Sequence, residues 1–464
     1  LAAICGPNSK AISMNLELSR DFLNKLELDL ARRNFQDYEE LMKEGHPADL
    51  AEIIDRIDFE LAIVFYEKLE DEVAADVLME LDDDIRAKLI ADYTGKEIAT
   101  ELIDNLDSDD AADLINELDE SQRREVLENI EDQKQAMDIA RLLVYPEGTA
   151  GALMGTELVK VKDHWKVVEC VREMRKQAEE VERVHAIYVV NEANKLLGTL
   201  SLKKLLTTST RTPISEVYSH KVQYVEVNTE AEEVANTMQK YDLVVMPVVD
   251  PLGHLVGRIT IDDVVDLIRD EAKEDYNLAS GLTDEVEADD SLWSITRARL
   301  PWLLIGLFGG LLAASVIGRY DTDIGAIPQL AFFIPLIAAM GGNVGVQSSA
   351  IIVQGLASQA LEDNSTFDRL IKELGVALVN GLILSVLIVG ASLFLGYGMP
   401  LALTVSVSLF AVIVVAALIG TFVPLVLDKY NIDPALATGP FITTLNDILG
   451  LFLYFQIGRL ILGI

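Results

Sequence analysis

The chain has 464 residues, and 75 acidic against 38 basic side chains give a formal net charge of −37. At roughly 150 residues per unit that is room for about three structural units, and so acidic a chain is a poor partner for nucleic acid, whose phosphates call for basic surfaces. An apolar fraction of 50% fits this charge only if the two properties occupy different stretches. They do: residues 300–464 hold 5 basic and 9 acidic groups, leaving a net of −33 on residues 1–299. The sequence thus describes an acidic headpiece fused to an integral membrane region.

The chain opens at Leu1, and the stretch around Cys5-Gly6-Pro7-Asn8 reads as a processed or artificially appended, flexible end over residues 1–20, with no signal peptide. Cys5 and Cys170 are too far apart in sequence to suggest a disulfide framework, as suits a reducing cytoplasm. The histidines at 46, 164, 185, 220 and 254 show no zinc spacing.

An internal repeat follows, within an acidic helical domain expected over residues 21–140. The pairs Ile57-Asp58, Leu69-Glu70, Leu81-Asp82, Tyr93-Thr94, Leu106-Asp107, Leu118-Asp119 and Ile130-Glu131 recur at spacings of 12, 12, 12, 13, 12 and 12. Each unit reads as about two helical turns with an apolar stripe and an acidic stop, stacked as a solenoid. Such stacks commonly bind proteins. Within this one, Asp109 and Asp113 share a helix face at i, i+4, where like charges repel unless a cation joins them.

A second repeat occupies residues 141–262. The run from Ile187 to Ser201 aligns without a gap, at an offset of 59, with that from Met246 to Thr260. Each copy reads as strand, turn, strand and helix, preceded by an amphipathic helix. This resembles a tandem pair of cystathionine-β-synthase (CBS) domains, a regulatory α/β module that is often dimeric and sometimes binds nucleotides. The resemblance gives Thr260 and Asp263 the hydroxyl and carboxylate that hold a ribose, while the first copy has Ser201 but Lys204 in the acidic place. At most one adenine-nucleotide site per pair is intact, and nucleotide binding is the lesser reading.

The segment leaving the second copy, within a connecting region over 263–299, carries acids at 262, 266, 270 and 274 in an i, i+4 ladder, with Asp263, Glu271 and Asp275 alongside. Only Arg269 and Lys273 compensate, so self-repulsion disfavours the isolated helix. A solvated face is the plain alternative.

The membrane domain, residues 300–464, divides into stretches of the roughly 20 apolar residues a span needs. Leu300–Gly318 is one span. Ile324–Leu361 is expected as one long or bent helix loosened by Gly341-Gly342-Asn343-Val344-Gly345. Leu374–Leu427 forms a hairpin broken at Gly396-Tyr397-Gly398-Met399-Pro400, and Pro434–Gly458 is the fifth span. Five spans put the two ends on opposite sides. With the headpiece inside, the inner loops hold Arg297, Arg299, Arg369, Lys372 and Lys429, against Arg319 and Arg459 outside.

Asp447 lies near the middle of the fifth span, where a carboxylate costs about 2.5 to 3.5 kcal/mol on insertion scales and belongs in a bundle interior or a water-filled path. Thr443, Thr444 and Asn446 surround it in sequence, and Asn343, Gln347 and Ser348 give the second span a similar polar patch. These amides and hydroxyls also read simply as helix-to-helix hydrogen bonds. An acid with no intramembrane Lys or Arg points to a transported cation. Paired carboxylates across a symmetric dimer would suit hydrated Mg²⁺, with Mn²⁺, Co²⁺, Na⁺ and a proton relay left open.

Taken in order, these regions resemble the MgtE family of magnesium channels: a multidomain α-helical membrane protein with a helical-repeat domain, paired CBS domains, an acidic connecting helix, and five spans containing GGNVG and TTLND. The resemblance implies a homodimer with an axial pore, Asp447 holding hydrated Mg²⁺, Asn343, Gln347, Thr443, Thr444 and Asn446 lining the path, and the acidic helix acting as a plug. It further implies that intracellular Mg²⁺ closes the pore by binding Asp263, Asp266, Glu271, Glu274, Asp275, Asp109, Asp113 and Asp433, with Glu230, Glu232, Asp242 and Asp76 less securely placed. Mg²⁺ is then both cargo and regulator, ATP or another adenine nucleotide is the candidate ligand of the CBS pair, and the location is a bacterial inner membrane with the N-terminal domains cytoplasmic and the C-terminus outside. Two alternatives remain, a transporter of another divalent cation and a membrane-bound Mg²⁺ or nucleotide sensor that transports nothing. An enzyme is disfavoured, because no nucleophile–base set or complete phosphate loop is present.

Overall fold

The computed structural model describes residues 18–178, 181, 183–283, 286, 291–357, 366–430 and 432–463, so Cys5 lies outside the described residues. The chain divides into two compact units, Leu1–Ile268 and Arg269–Ile464.

The first unit begins with α1 (Arg20–Ala31), α2 (Glu39–Glu44), α3 (Pro47–Arg56), α4 (Phe59–Tyr66), α5 (Asp71–Met79), α6 (Asp83–Ile90), α7 (Gly95–Glu97), α8 (Ser108–Glu117), α9 (Glu120–Asn129) and α10 (Gln133–Leu142). The acid of each repeat is a start rather than a stop. Asp58, Glu70, Asp82, Thr94, Asp107 and Asp119 are the N-caps of α4 to α9. An N-terminal turn leaves backbone N–H groups free, and an oxygen side chain there can accept from them. Asp58 accepts from the N–H of Glu60, Asp119 from those of Ser121 and Gln122, and Thr94 completes a capping box with Glu97. The last pair shifts by one: Asp132, not Glu131, caps α10.

The single 13-residue spacing has a structural counterpart. Between Tyr93 and Leu106 the chain forms a π-helical turn, Ile98–Leu102, then a 3₁₀ turn, Ile103–Asn105. A π turn takes up one extra residue without breaking the helix, so Ile98, Leu102 and Ile103 stay fully buried.

Each CBS copy begins with a short strand that the sequence reading lacked. β1 (Val159–Lys162) is followed by α11 (Val167–Gln177), β2 (Ile187–Val190), β3 (Leu196–Leu200) and α12 (Leu202–Thr207). The second copy runs through β4 (Val225–Glu226), α13 (Ala231–Lys240), β5 (Val245–Val249), β6 (Leu255–Thr260) and α14 (Ile261–Ser280). In each, the first strand lies parallel to the second and the second antiparallel to the third, in sheet orders β1-β2-β3 and β4-β5-β6. The offset of 59 survives in the pairing: Val189 faces Gly198 where Val248 faces Gly257, and both hairpins shift register one residue later. Met238, Met246, Val248 and Ile259 of the second copy join the apolar core of the repeat helices, whereas Val159, Cys170, Ile187 and Leu200 of the first form a core of their own. Cys170 is buried and free.

The second unit holds the end of α14 and five helices long and apolar enough to cross a membrane. They are α15 (Leu292–Gly318), α17 (Leu330–Ala357), α18 (Thr366–Phe394), α19 (Met399–Lys429) and α20 (Gly439–Leu462), with a short α16 (Asp321–Ala326) between the first two. The hairpin breaks where expected, with Gly396 at φ +85°. α17 does not loosen at its glycines. It runs unbroken through Gly341–Gly345, because these glycines serve close packing: a Cβ on Gly341 would meet Val412, one on Gly342 Thr443, and one on Gly345 Asn446. Small residues let membrane helices approach where no hydrophobic force drives them together.

Candidate metal centre and ion path

In the first unit, α8 and the start of α14 bring their acids to one place. Asp109, Asp110 and Asp113 on α8 all feel the charge of Asp263 on α14. Burial is the first cause of their shifted protonation and the Asp263 charge adds to it. Asp109 is pushed well above the ordinary carboxylate range, and Asp110 rises to about 7. Asp113 rises to about 6, chiefly by burial, with Arg86 pulling it back before Asp263 pushes it further. Asp263 is raised by burial, against the hydrogen bonds that the N–H and hydroxyl of Thr260 donate to its carboxylate. Asp76 contributes to the field at Asp110.

Beside this group, ligand oxygens of Asp107, Asp109 and Glu157 all lie within 4.8 Å of one another. Ser108 Oγ donates to Glu157 at 3.0 Å, and Arg258 Nη2 donates to Asp107 at 3.3 Å. A Cβ on Gly155 would sit 2.7 Å from an Asp109 oxygen, so any larger residue there would push that carboxylate aside. Three hard oxygen donors without His or Cys suit Mg²⁺ or Ca²⁺ rather than zinc. Sequence reasoning found Asp109 and Asp113 and missed Asp107, Asp110 and Glu157. Asp107 was visible as a repeat ending; nothing local marks Glu157, which arrives from 44 residues beyond Asp113.

The remaining candidates outside the five long apolar helices are dispersed. Glu230 and Glu232 stand at the start of α13 and Asp242 just past its end, about 15 Å apart along ten residues of helix; Asp242 takes the left-handed conformation common there. Asp266 and Glu274 are exposed on α14, and Glu271 is half-buried. Thr260 and Asp263 are bonded to each other, so the two groups expected to hold a ribose already satisfy one another.

In the second unit, Asp275 near the end of α14 is raised first by burial and then by Asp433, whose carboxylate caps the 3₁₀ turn Pro434–Ala437 leading into α20. The N-terminal end of α20 rests on α14: a Cβ on Gly439 would lie 2.5 Å from the carbonyl oxygen of Ala279, and one on Gly281 would lie 2.9 Å from Pro440.

Along α20, Asp447 and Thr443 occupy one partly open face against Gly342 of α17. The next two residues of α17 to share an open face are Asn343 and Gln347, both exposed. Two expected lining residues turn elsewhere. Thr444 packs on α15, where a Cβ on Gly309 would come within 1.8 Å of it. Asn446 is 2% exposed, wedged against Gly345, its amide without a protein partner. The reason is helical geometry: at about 100° per residue Thr443 and Asp447 lie only about 40° apart, whereas Thr444 is turned about 100° from Thr443 and Asn446 about 100° the other way from Asp447. Ser348 is likewise buried, donating to Glu373 of α18 at 2.6 Å, a helix-to-helix bond.

Residues 334–457 match the MgtE divalent cation transporter model, 45–148 the MgtE intracellular N domain, and 150–210 and 214–270 the CBS domain. Magnesium transporter MgtE of Thermus thermophilus is 37% identical over 338 residues, 72% of this chain and 75% of that protein. Its counterpart in Enterococcus faecalis is 36% identical over 70% of this chain and 72% of its own. A crystal structure of the soluble part of a magnesium transporter is 29% identical, covering 54% of this chain and 98% of that one with a TM-score of 0.49. Matched from its repeat helices through its CBS pair to its membrane helices, the chain belongs to the MgtE family of divalent cation transporters.

Proposed function

We propose that this protein is a magnesium channel of the cell membrane, working as a homodimer and closed from within by the ion it conducts. It is not an enzyme. The observation that carries this reading is Asp447, a carboxylate deep in an apolar span, partly open and set against Gly342 of α17, the helix that also carries the exposed Asn343 and Gln347. A membrane anchor has no use for an acid there. On a two-fold axis two such carboxylates, with amides around them, would hold a magnesium ion that keeps much of its water.

In this reading residues 21–140 form the repeat domain, 141–262 the CBS pair, 263–299 the plug and its linker, and 300–464 the pore. The N-terminal domains lie in the cytoplasm and the C-terminus outside, as the inner cluster of Arg297, Arg299, Arg369, Lys372 and Lys429 favours. The sensor consists of Asp107, Asp109, Asp113, Glu157 and Asp263 in the headpiece and Asp266, Glu271, Glu274, Asp275 and Asp433 toward the membrane. Carboxylates already pushed toward protonation by their neighbours gain most when a divalent ion takes the proton's place. Such binding favours the compact, closed form, and falling cytosolic Mg²⁺ empties the sites and releases it.

An adenine nucleotide at the CBS pair would compete with this cluster for Asp263; calorimetric titration of ATP should weaken as Mg²⁺ rises. The decisive experiment is Mg²⁺ influx into Mg²⁺-depleted cells or proteoliposomes, native against Asp447→Ala at matched expression. Native flux lost in the variant supports the reading, and a folded, dimeric native protein that moves no Mg²⁺ overturns it. Competition by Mn²⁺ and Co²⁺ in the same assay separates magnesium from other divalent cargo.

A further inference from the structure

The last turns of α20 are fastened to the segment after α15 and to the first residue of α17 by four side chains in six residues. Tyr454 donates to the Leu330 carbonyl at 2.9 Å, and Phe455 stacks on Tyr320 with ring centroids 4.7 Å apart and planes 10° from parallel. Gln456 donates its amide to the Tyr320 hydroxyl at 2.8 Å. Arg459 donates from Nε to Asp323 at 2.7 Å and lays its guanidinium over the Tyr320 ring, 4.6 Å from the centroid. Tyr320 and Asp323 are 4% and 7% exposed, so the carboxylate is buried with its partner already in place. Arg459 itself is 41% exposed, so it is loss of the arginine that would leave a buried charge, Asp323, uncompensated.

The position of this cluster on the helix gives it a use beyond stability. Asp447 lies 12 residues before Arg459, about 18 Å along the axis, and at 100° per residue the Phe455 and Arg459 contacts grip α20 about 80° and 120° round from the Asp447 face. They therefore resist rotation of the helix about its axis. Side-chain tips sit about 5 to 6 Å from that axis, so a twist of about 20° would swing the Asp447 carboxylate by about 2 Å. That is enough to change which waters of a hydrated cation it meets.

We propose that Tyr320, Asp323 and Arg459 are positioning residues for cation passage: a clasp at the outer end of α20 that sets the helix's rotation and thereby the placement of Asp447. The proposal rests on Asp447 being the pore carboxylate, as read above.

The test uses the full-length protein in proteoliposomes, with Arg459→Gln, Asp323→Asn and the milder Tyr320→Phe, each scored per folded molecule by size-exclusion profile and melting temperature. Flux half-saturation for Mg²⁺ and the Mg²⁺ to Mn²⁺ flux ratio are read together with the modification rate of Thr443→Cys by a soluble thiol reagent, in a background lacking Cys5 and Cys170. The clasp requires Arg459→Gln and Asp323→Asn to shift both the flux ratio and the cysteine rate by about threefold or more, with Arg459→Lys restoring part of the shift. It also requires that Arg459→Gln add no change in the flux ratio once Asp447 is replaced by Asn. A purely structural pair would lower the yield of folded protein and leave both readings native, and that result overturns the proposal. If Asp447→Ala conducts normally, the pore reading falls instead, and the cysteine rate still reports whether the clasp fixes the helix.

Discussion

Carboxylates crowd together at the junction of repeat helices and CBS pair, while in the membrane one stands alone. Burial and then the charge of Asp263 raise the proton affinity of Asp109, Asp110 and Asp113, and Asp107 and Glu157 converge beside them with Ser108 and Arg258 as partial relief. Asp447 instead lies against a glycine, Gly342, on a partly open helix face. A crowd of acids suits a site that must fill and empty, because its mutual repulsion makes the ion-free state costly and the occupied state responsive to concentration. A lone acid suits a path, since an ion held by few ligands can leave again.

The sharpest way to break this contrast is at the lone acid. Asp447→Ala should lower Mg²⁺ flux by about tenfold or more, the equivalent of about 1.4 kcal/mol or above, in an assay normalised to protein in the membrane. Next, replacing Asp263, Glu271 and Glu274 together by their amides should leave flux undiminished at Mg²⁺ concentrations that silence the native protein. Closure at the native concentration would mean that these acids are not the sensor.

Packing around the lone acid gives a third test. Gly345→Ala would place a methyl carbon 1.9 Å from Asn446 Nδ2, a severe overlap, whereas Gly306→Ala on α15 meets nothing within 4 Å. The first should lower the melting temperature and the flux, by about 1 to 3 kcal/mol of overpacking, and the second should be silent in both.

The crowd predicts its own pH dependence. Asp110 and Asp113 move from an ordinary value of 3.8 to about 7 and about 6, so between those limits the folded headpiece holds protons that the unfolded chain has released. Stability from this source is therefore greatest at the acidic end and is lost as pH rises through about 6 to 7. Melting curves of the full chain in detergent with a chelator should fall from pH 5 to pH 8, and saturating Mg²⁺ should flatten that slope. A smaller effect is expected at Thr94→Ala, which removes a capping box remote from either site and should cost about 1 kcal/mol by denaturant titration without changing flux.

Much of this was legible from periodicity and charge. The 12-residue spacing gave the stacked helices, and its one exception of 13 marks the π turn at Ile98–Leu102. The offset of 59 gave two CBS copies whose hairpins share a register, and the uncharged runs gave five spans. What misled was the meaning of polar residues within those patterns. The repeat acids looked like stops and are caps. Gly341, Gly342 and Gly345 looked like a loosened middle and are contact points for neighbouring helices. Thr444 and Asn446, adjacent in sequence to Thr443 and Asp447, face other helices altogether.

By itself, then, the sequence determined what each segment must do with its apolar surface: stack, pair into sheets, or enter a bilayer. It also placed the one acid that no apolar span can carry without a reason. Only the tertiary structure decided which polar groups meet. Glu157 joins Asp107 and Asp109, Asp433 meets Asp275, and Arg459 reaches back to Asp323, because these encounters depend on how helices far apart in sequence lie against each other. Burial has a periodic signature along the chain; a carboxylate meeting a carboxylate or a guanidinium across 48 or 136 residues has none.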